Sequence, residues 1–358
     1  MTTAEITSLI ATKEINDIDL GGITLEGLDF GGCTLTKVNF KGSTLRHCSF
    51  EEAVLDRCSF ECSGKTDTPN LQSVSFKKAT LLNCRFRYAN IAWSDFRYAR
   101  IEQATFEDSV IDFCDFYRCF FEGVVLFKHA KISNSSLYYT YLGDATNLRR
   151  DNLVNDRILQ QNKKEYTRFL VDWHKYGTGV RTNDMKVVSD WSPDAAVKAR
   201  WSDAEDIYKT LNGLWNERGF NADANWAYVQ GRRMERRRMI TELSDSKLSV
   251  WTKIGRVWHI ICNGLSDLFF GYGESMIKMI ATYIFTVLLF AFFFSSKVSP
   301  LEYFEALGIS LKNMAGMDSE VLQGVSPLVD MLNLVQTTIG ILLTGIFGFI
   351  LGNKIRNQ

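Results

Sequence analysis

The feature that most constrains this chain is a period of five residues that runs through its first 150 positions. A Leu, Phe or Ile stands at nearly every fifth position, and a mostly small or medium-sized residue precedes it by two. One series runs from Leu20 to Phe60, and a second, one place out of register, runs from Phe76 after an apparent loop at 61–73. Neither the helical period of 3.6 nor the strand period of two produces this spacing. The pattern instead predicts a square coil, in which each unit of five forms one side and then turns.

This repeat resembles the pentapeptide-repeat family, and the resemblance covers roughly residues 18–153. The fold that it implies is a right-handed, four-sided β-helix, with residues 1–17 as an N-terminal cap. At four units per coil the repeats predict about six coils, and at about 4.8 Å per coil the rod is about 28 Å long.

Some members of the family imitate duplex DNA with an acidic surface. Residues 1–151 carry 17 Lys or Arg against 20 Asp or Glu, a net of −3, which is too weak for that role. An unknown cytosolic protein or ligand is therefore the expected partner of the rod, unless its surface is an ordinary solvated face.

The cysteines are explained by the repeat. Most of them occupy its small inward position, where a thiol acts as a compact apolar group. These residues are Cys33, Cys48, Cys58, Cys84, Cys114 and Cys119. The sequence has no CxxC pair, no nucleotide-binding loop and no grouped histidines. We therefore expect no metal, no cofactor and no enzymatic activity.

The charges and the N-terminus indicate where the chain resides. The 41 basic residues balance the 41 acidic ones, so a nucleic-acid partner is not expected. Residues 1–20 lack the apolar run of a secretory signal, which predicts that the rod stays in the cytosol.

Residues 154–267 are predicted to form a helical cytosolic coupling region. Ser202 with Glu205 has the spacing of a capping box and predicts a helix from Ser202 to about Gly219. Another helix is predicted from about Ala222, and together the two form a hairpin over the end of the rod. The arginine run at 232–238 is interpreted as a solvated helix face, a membrane-facing patch or a nucleic-acid contact. The stripe from Trp251 to Ile261 is typical of an interfacial helix, although a buried amphipathic helix has the same pattern.

Two uncharged segments near the C-terminus are long enough to cross a bilayer, at about 279–296 and 331–352. Basic residues precede the first and follow the second, whereas 297–330 holds two Lys and five acidic residues. The positive-inside rule then places both termini in the cytoplasm of a cell bounded by an inner (plasma) membrane.

The segment between the two spans is predicted to re-enter the membrane over about residues 300–318. An amphipathic stretch begins at Pro300, and a segment of small and polar residues, 313–318, follows it. Non-helical backbone at membrane depth is tolerated only where protein or a watery path surrounds it. The predicted pore domain, residues 268–358, resembles the two-span, pore-loop ion channels over about residues 268–356, including the pair Tyr303-Phe304. The sequence Gly-Tyr-Gly-Glu at 271–274 resembles a lead-in of bacterial channels that carry pentapeptide repeats.

The resemblance implies a homotetrameric, cation-conducting channel in the lipid bilayer. The residues matching the potassium filter are Asn313, Met314, Ala315, Gly316, Met317 and Asp318. Only the Asp agrees with the family's Thr-Val-Gly-Tyr-Gly-Asp, so potassium selectivity is not implied. Asp318 and Glu320 are expected to ring the outer mouth.

On the second span, Thr337, Ile341, Thr344 and Gly348 are expected to line or seal the inner path. A ridge of small residues, Gly340, Thr344, Gly348 and Gly352, predicts close helix association. The alternative hypothesis is a membrane-anchored interaction scaffold whose loop is an external hairpin without a pore.

Overall fold

A computed structural model of the chain describes residues 1–65, 67–176, 193–244, 249–298, 301–317 and 325–356. The side chains are not described at 172–176, 193–196, 198–199 and 353–356. The chain divides into two compact units, Met1–Thr241 and Glu242–Gln358, and each is described by itself.

The first unit opens with a helix, α1 (Thr3–Ala11), followed by fifteen short strands. A capping box closes the start of α1, since Thr2 and Glu5 each accept a hydrogen bond from the other's backbone N–H. The strands are Glu14–Asn16 (β1), Thr24–Glu26 (β2), Thr34–Thr36 (β3), Thr44–Arg46 (β4), Val54–Asp56 (β5), Leu71–Gln72 (β6), Thr80–Leu82 (β7), Asn90–Ala92 (β8), Arg100–Glu102 (β9), Val110–Asp112 (β10), Phe120–Glu122 (β11), Val125–Leu126 (β12), Lys131–Ser133 (β13), Tyr141–Leu142 (β14) and Thr146–Asn147 (β15).

The strands stack into a β-solenoid of about seven turns. One parallel sheet has the order β1-β3-β5-β7-β9-β11-β14 and another β13-β10-β8-β6-β4-β2, while isolated parallel bridges join the remaining sides. Neighbouring strands pair twenty residues apart, as Ile15 does with Leu35. The solenoid therefore starts at Glu14, inside the predicted cap, and the expectation of about six coils was too low. Ile15 is buried beneath α1, because it continues the five-residue spacing back from Leu20.

The inserted loop is shorter than the sequence predicted. Leu45 pairs with Leu71, so six additional residues lie in this coil and the register resumes at Leu71 rather than after Ser73. The axis of the solenoid is filled by phenylalanines that stack coil upon coil, such as Phe30 on Phe50 with ring centroids 4.8 Å apart. The six cysteines predicted to point inward are all buried, which confirms their role as apolar filler, and Cys62 is buried as well.

Helices close the C-terminal end of the solenoid. Three short 3-10 turns between Arg150 and Gln161 lead to α2 (Lys163–Tyr176), α3 (Pro193–Glu217) and α4 (Asn221–Glu242). The Trp215 indole Nε1 donates a hydrogen bond to the Leu148 carbonyl over 2.6 Å, and Trp215 is fully buried in the core of the solenoid. These contacts place the helices beside the segment that directly follows the last strand, β15, where an open β edge would otherwise be free to pair with another chain.

The helix predicted to start at Ser202 begins nine residues earlier, at Pro193, so the capping-box prediction was wrong. The Glu205 carboxylate instead bridges Lys209, at 2.7 Å, and Arg238 of α4, at 2.8 Å. The prediction of a helix start failed because Ser and Glu three residues apart also occur on an ordinary helix face. Arg238 belongs to the arginine run, and Arg237 of the same run lies over the Trp201 ring. Part of that run is therefore engaged within the unit.

The second unit is helical. It comprises α5 (Val250–Leu265), a π-helical turn (Ser266–Phe270), a 3-10 turn (Gly271–Gly273), α6 (Met276–Lys297), α7 (Tyr303–Met314) and α8 (Pro327–Arg356). Among the described residues, α6 and the part of α8 from Pro327 to Gly352 are long and apolar enough to span a membrane.

Candidate functional site

The short helix α7 is held between the two apolar helices. Its twelve residues span about 18 Å, well short of the roughly 30 Å needed to cross the apolar core of a bilayer. Phe290 and Phe294 of α6 pack with Ala306 and Ile309 of α7 and with Val329 of α8. All three helices thus contribute to one apolar cluster.

The C-terminal end of α7 lies level with the middle of both apolar helices. The Ser310 hydroxyl donates to the Val287 carbonyl over 2.8 Å, and Val287 is eleven residues, about 16 Å, after the start of α6. Met314 packs against Gly340, which is thirteen residues, about 20 Å, after the start of α8. The chain between α6 and α8 therefore reaches half-way along them instead of joining them only at their ends.

A buried group of polar side chains fixes this position, and we call Ser310, Asn313, Asn333 and Gln336 the amide cluster. The Asn313 Nδ2 donates to the Asn333 Oδ1 over 2.6 Å and to the Gln336 Oε1 over 3.0 Å. The Gln336 Nε2 donates to the Ser310 carbonyl over 3.1 Å and to the Ser310 hydroxyl. Each of the four residues is buried. Because a buried amide is costly unless it is hydrogen-bonded, the cluster ties α7 to α8 in one arrangement.

The segment matched to the filter is the end of a helix. Gly316, with φ +79°, stands just past the C-cap, and its N–H donates to the Asn313 carbonyl over 2.9 Å. The Met317 N–H donates to the Lys312 carbonyl over 2.9 Å, which completes a Schellman motif. Asn313 and Met314 are buried, whereas Ala315, Gly316 and Met317 are exposed. This backbone differs from the stacked carbonyls of the family's filter, and a role of the segment in conduction stays a prediction. Asp318 and Glu320 lie outside the described residues.

The four residues predicted to line the inner path have different surroundings. Thr337 is half-buried and donates to the Asn333 carbonyl of its own helix, and Ile341 lies beside Gly316. Thr344 lines an apolar groove of about 230 Å³ between α6 and α8, together with Tyr283. A β-carbon added to Gly348 would meet nothing within 4 Å. Whether these residues face a conducting path stays a prediction.

The small residues of the predicted ridge on α8 have different surroundings. Gly340 contacts Met314 so closely that its small size serves packing within the chain. Gly348 and Gly352 have open space around them, and association through them stays a prediction.

Sequence reasoning missed three members of the amide cluster. Ser310, Asn333 and Gln336 were passed over as ordinary residues of an amphipathic stretch and of an apolar span. Asn and Gln within a span are themselves a signal, because such residues face a protein interior and bond to a neighbouring helix.

The described residues hold no group of three His, Cys, Asp or Glu that could bind a metal ion. The amide cluster offers neutral amides and a hydroxyl, so what it can do is position a backbone rather than transfer protons.

Comparison with known proteins identifies the first part of the chain. The family described as pentapeptide repeats (8 copies) matches residues 16–51 and 25–61, so this region carries pentapeptide repeats. Together with the seven-turn solenoid, the match defines a pentapeptide-repeat scaffold followed by a helical region with two apolar helices. A search of curated proteins finds no match to the sequence.

Several solved structures are similar to the solenoid. The pentapeptide repeat protein Rfr23 from the cyanobacterium Cyanothece 51142 is 14% identical, with 39% of this chain and 99% of that chain covered and a TM-score of 0.28. A pentapeptide repeat protein of the Arabidopsis thaliana thylakoid lumen is 24% identical over 35% of this chain and 71% of that one, with a TM-score of 0.16. HetL from Nostoc sp. strain PCC 7120, described as involved in regulating heterocyst differentiation, is 15% identical over 43% and 90%, with a TM-score of 0.17. At such identities and TM-scores these structures say nothing about activity or partners.

Proposed function

We propose that this chain is one subunit of an oligomeric membrane ion channel, cation-conducting and most simply a homotetramer. Its pentapeptide-repeat solenoid would lie in the cytoplasm and dock a partner that controls the pore. The observation that carries the proposal is the depth of α7, whose end reaches the middle of α6 and α8.

The argument rests on the cost of exposed backbone in hydrocarbon. If α6 and α8 cross a bilayer, then Ala315, Gly316 and Met317 lie near its middle in a non-helical conformation, exposed in the single chain. The N–H groups of this segment are bonded to carbonyls of α7, but lipid offers no donor to the segment's own carbonyls, and each unsatisfied group costs several kcal/mol. Further copies of the chain around a shared aqueous path would cover this segment on one side and hydrate it on the other. A hairpin outside the membrane, as in an anchored scaffold, would not explain contacts half-way along both helices.

Two features support a preference for cations. The last carbonyls of α7 carry the partial negative charge of a helix C-terminus, and they lie at the end that would face the path. The acidic Asp318 and Glu320 follow in sequence at the expected outer mouth.

Basic residues outside the two apolar helices support a plasma-membrane orientation with both termini cytoplasmic.

A group of tyrosines around an arginine on the solenoid supports the partner-binding role. Tyr117 lies 6.0 Å from Tyr138 and from Tyr139 between ring centroids, and Arg118 lies over the Tyr117 and Tyr139 rings at 5.4 and 5.9 Å. We call Tyr117, Arg118, Tyr138 and Tyr139 the aromatic corner. Among the described residues no carboxylate pairs with Arg118, although the nearby Arg97 is bound by Asp95. The exposed Tyr139 and the half-buried Tyr117 and Tyr138, grouped around an arginine without a described ion pair, favour a protein segment that carries a carboxylate.

The channel is tested by recording current from the purified full-length protein in a planar bilayer under a potassium chloride gradient. Unitary steps whose reversal potential favours cations are expected, and the Asp318→Asn variant should weaken that preference. Asp144→Asn removes a carboxylate from the solenoid instead and is the matched control. A reversal potential that is identical in wild type and Asp318→Asn would show that Asp318 does not lie at the outer mouth.

If the full-length protein gives no current, a closed channel has to be distinguished from a membrane anchor without a pore. The recording is therefore repeated without residues 1–153, which should open a channel held shut by its solenoid. Single cysteines placed along 301–315 distinguish the scaffold independently. Uniform labelling by a membrane-impermeant thiol reagent from outside would favour the scaffold, whereas protection toward Ala315 would favour the pore loop.

The aromatic corner is tested with random peptides displayed on phage and selected on the full-length protein. Selected peptides should be rich in Asp and Glu and should lose binding to the Arg118→Glu variant. Arg46→Glu, which reverses another exposed charge of the solenoid, should leave binding intact. Selection of peptides without acidic residues would contradict the assignment.

A further inference from the structure

The helix α5 has an unusual distribution of exposed side chains. Trp251 is 83% exposed and Trp258 67%. They lie on one side of the helix with five other exposed apolar residues, namely Val250, Ile254, Val257, Ile261 and Leu265. Within the second unit the described residues leave this apolar stripe uncovered, which favours the interfacial helix over the buried amphipathic one.

The polar side of α5 is the side that packs. Asn263 is 3% exposed and its Oδ1 accepts a hydrogen bond from the Tyr272 hydroxyl over 2.6 Å. Arg256 forms an ion pair with Glu242 at 3.1 Å. A helix on the surface of a water-soluble protein has the opposite arrangement, with its apolar stripe inward and its polar face in solvent. The outward face of α5 is thus suited to surroundings other than water.

A tight turn, which we call the elbow, joins α5 to α6. The backbone turns at Gly271 and Tyr272, both with left-handed φ values of +54° and +56°. A β-carbon at Gly271 would lie 2.7 Å from the β-carbon of Ser275, so only glycine fits there. The Lys278 ammonium contacts the Asp267 carboxylate at 3.0 Å and thereby joins the start of α6 to the turn after α5.

We infer that α5 lies in the membrane interface, with the Trp251–Trp258 face in lipid and the Asn263 side toward the protein. Tryptophans are typical of headgroup depth, where one edge of the ring is apolar and the N–H is hydrated. Exposed apolar residues follow α5 along the chain, namely Leu268 in the turn and Ile277 and Ile280 on α6, which is long enough to span a bilayer. The short connection from α5 to an apolar helix of this length favours lipid over a soluble protein as the occupant. The inference rests on the membrane insertion of α6 in the proposed function, but not on a pore.

Cys262 makes a direct test possible, because it is exposed on α5 beside the stripe while the other seven cysteines are buried. The full-length protein is labelled at Cys262 with a fluorescent bimane and reconstituted into vesicles of phosphatidylcholine and phosphatidylglycerol. Nitroxide-labelled lipids should quench this label more strongly than aqueous iodide does. The matched control is Thr252→Cys in a Cys262→Ser background, since Thr252 lies on the opposite side of α5 and should be quenched mainly by iodide.

Equal quenching by iodide at the two positions would overturn the inference. An Ile284→Cys label on α6 distinguishes the two possible failures. If lipid nitroxides quench the α6 label but not the α5 label, α5 lies off the membrane and the channel proposal stands. If they quench neither, the membrane placement itself fails and both are overturned. Gly271→Ala provides a further check, because disrupting the elbow should raise iodide quenching at Cys262 without changing the α6 label.

Discussion

Gly340 of α8 and Met314 of α7 approach so closely that a β-carbon at Gly340 would lie 2.5 Å from the Met314 carbonyl oxygen. Met314 is fully buried at this point, between Val287 of α6 and Leu343 of α8. The absence of a side chain at Gly340 therefore sets how deeply α7 can enter between the apolar helices.

Replacing Gly340 by Ala should push α7 away from α8. We expect the free energy of unfolding to fall by about 1–3 kcal/mol, as for other overpacked sites, and unitary currents to be lost. Gly345→Ala is the matched control, because its β-carbon would meet nothing within 4 Å and alanine favours the helix. Thermal unfolding in detergent and bilayer recordings measure the two effects, and equal behaviour of both variants would contradict the close contact.

The amide cluster should show strong coupling between its members. Gln336→Leu leaves the buried Ser310 carbonyl and the Asn313 amide without that partner, which should cost about 1–3 kcal/mol. The double variant Asn313→Leu with Gln336→Leu should cost less than the sum of the single changes, since both polar groups are then gone. Thr338→Val, on the exposed side of α8, serves as the control. Additive losses in the double-mutant cycle would show that the two amides act independently.

The helical cap of the solenoid should respond to pH through Asp203. Burial raises the pKa of its carboxyl from 3.8 to about 6, while hydrogen bonds from Tyr166 and Tyr138 oppose the shift and Asp206 adds to it. A raised carboxyl pKa means that the protonated form stabilises the fold. That stabilisation is complete below about pH 4 and is lost as the pH rises through 6, by roughly 2–3 kcal/mol at most.

Asp203→Asn should abolish this fall in stability and make the first unit more stable at pH 7. Denaturant unfolding of the full-length protein in detergent, followed by circular dichroism across pH 4–7, measures it. Tyr166→Phe removes a hydrogen bond to the ionised carboxylate and should move the fall to higher pH. Wild-type and Asp203→Asn curves that superimpose would show that Asp203 does not titrate in this range.

The cysteines predict a simple labelling pattern. Seven of the eight are buried in the solenoid, where a reagent in solution does not reach them, and burial also raises the pKa of the Cys114 and Cys119 thiols. A maleimide should label one thiol per folded chain at neutral pH and eight after unfolding. Cys262→Ser should reduce the native value to none. Mass spectrometry that found two or more labels on the folded protein would contradict the packing of the solenoid core.

Local sequence patterns predicted the structure reliably where the same pattern of burial repeats along the chain. They were less reliable where a short motif occurs only once. The five-residue spacing predicted the strands because every coil buries the same two positions, and it erred only at the start of each of its two series, where Ile15 and Leu71 extend the spacing by one unit. The pair Ser202 and Glu205 matched a helix start, yet Glu205 pairs with Arg238 across the hairpin. A four-residue pattern cannot distinguish a helix start from a helix interior when the partner comes from another helix.

The sequence by itself determined the solenoid and the two apolar helices, because periodic burial and long uncharged runs are properties of consecutive residues. Only the tertiary structure decided how far α7 enters between α6 and α8, since Gly340 and Met314 are 26 positions apart and meet only when three helices pack. The same holds for α5: the sequence predicted its apolar stripe, but only the contact between Asn263 and Tyr272 shows that the polar side packs while the tryptophans are exposed. Contacts between distant residues depend on the packing of whole helices, and no local pattern specifies that packing.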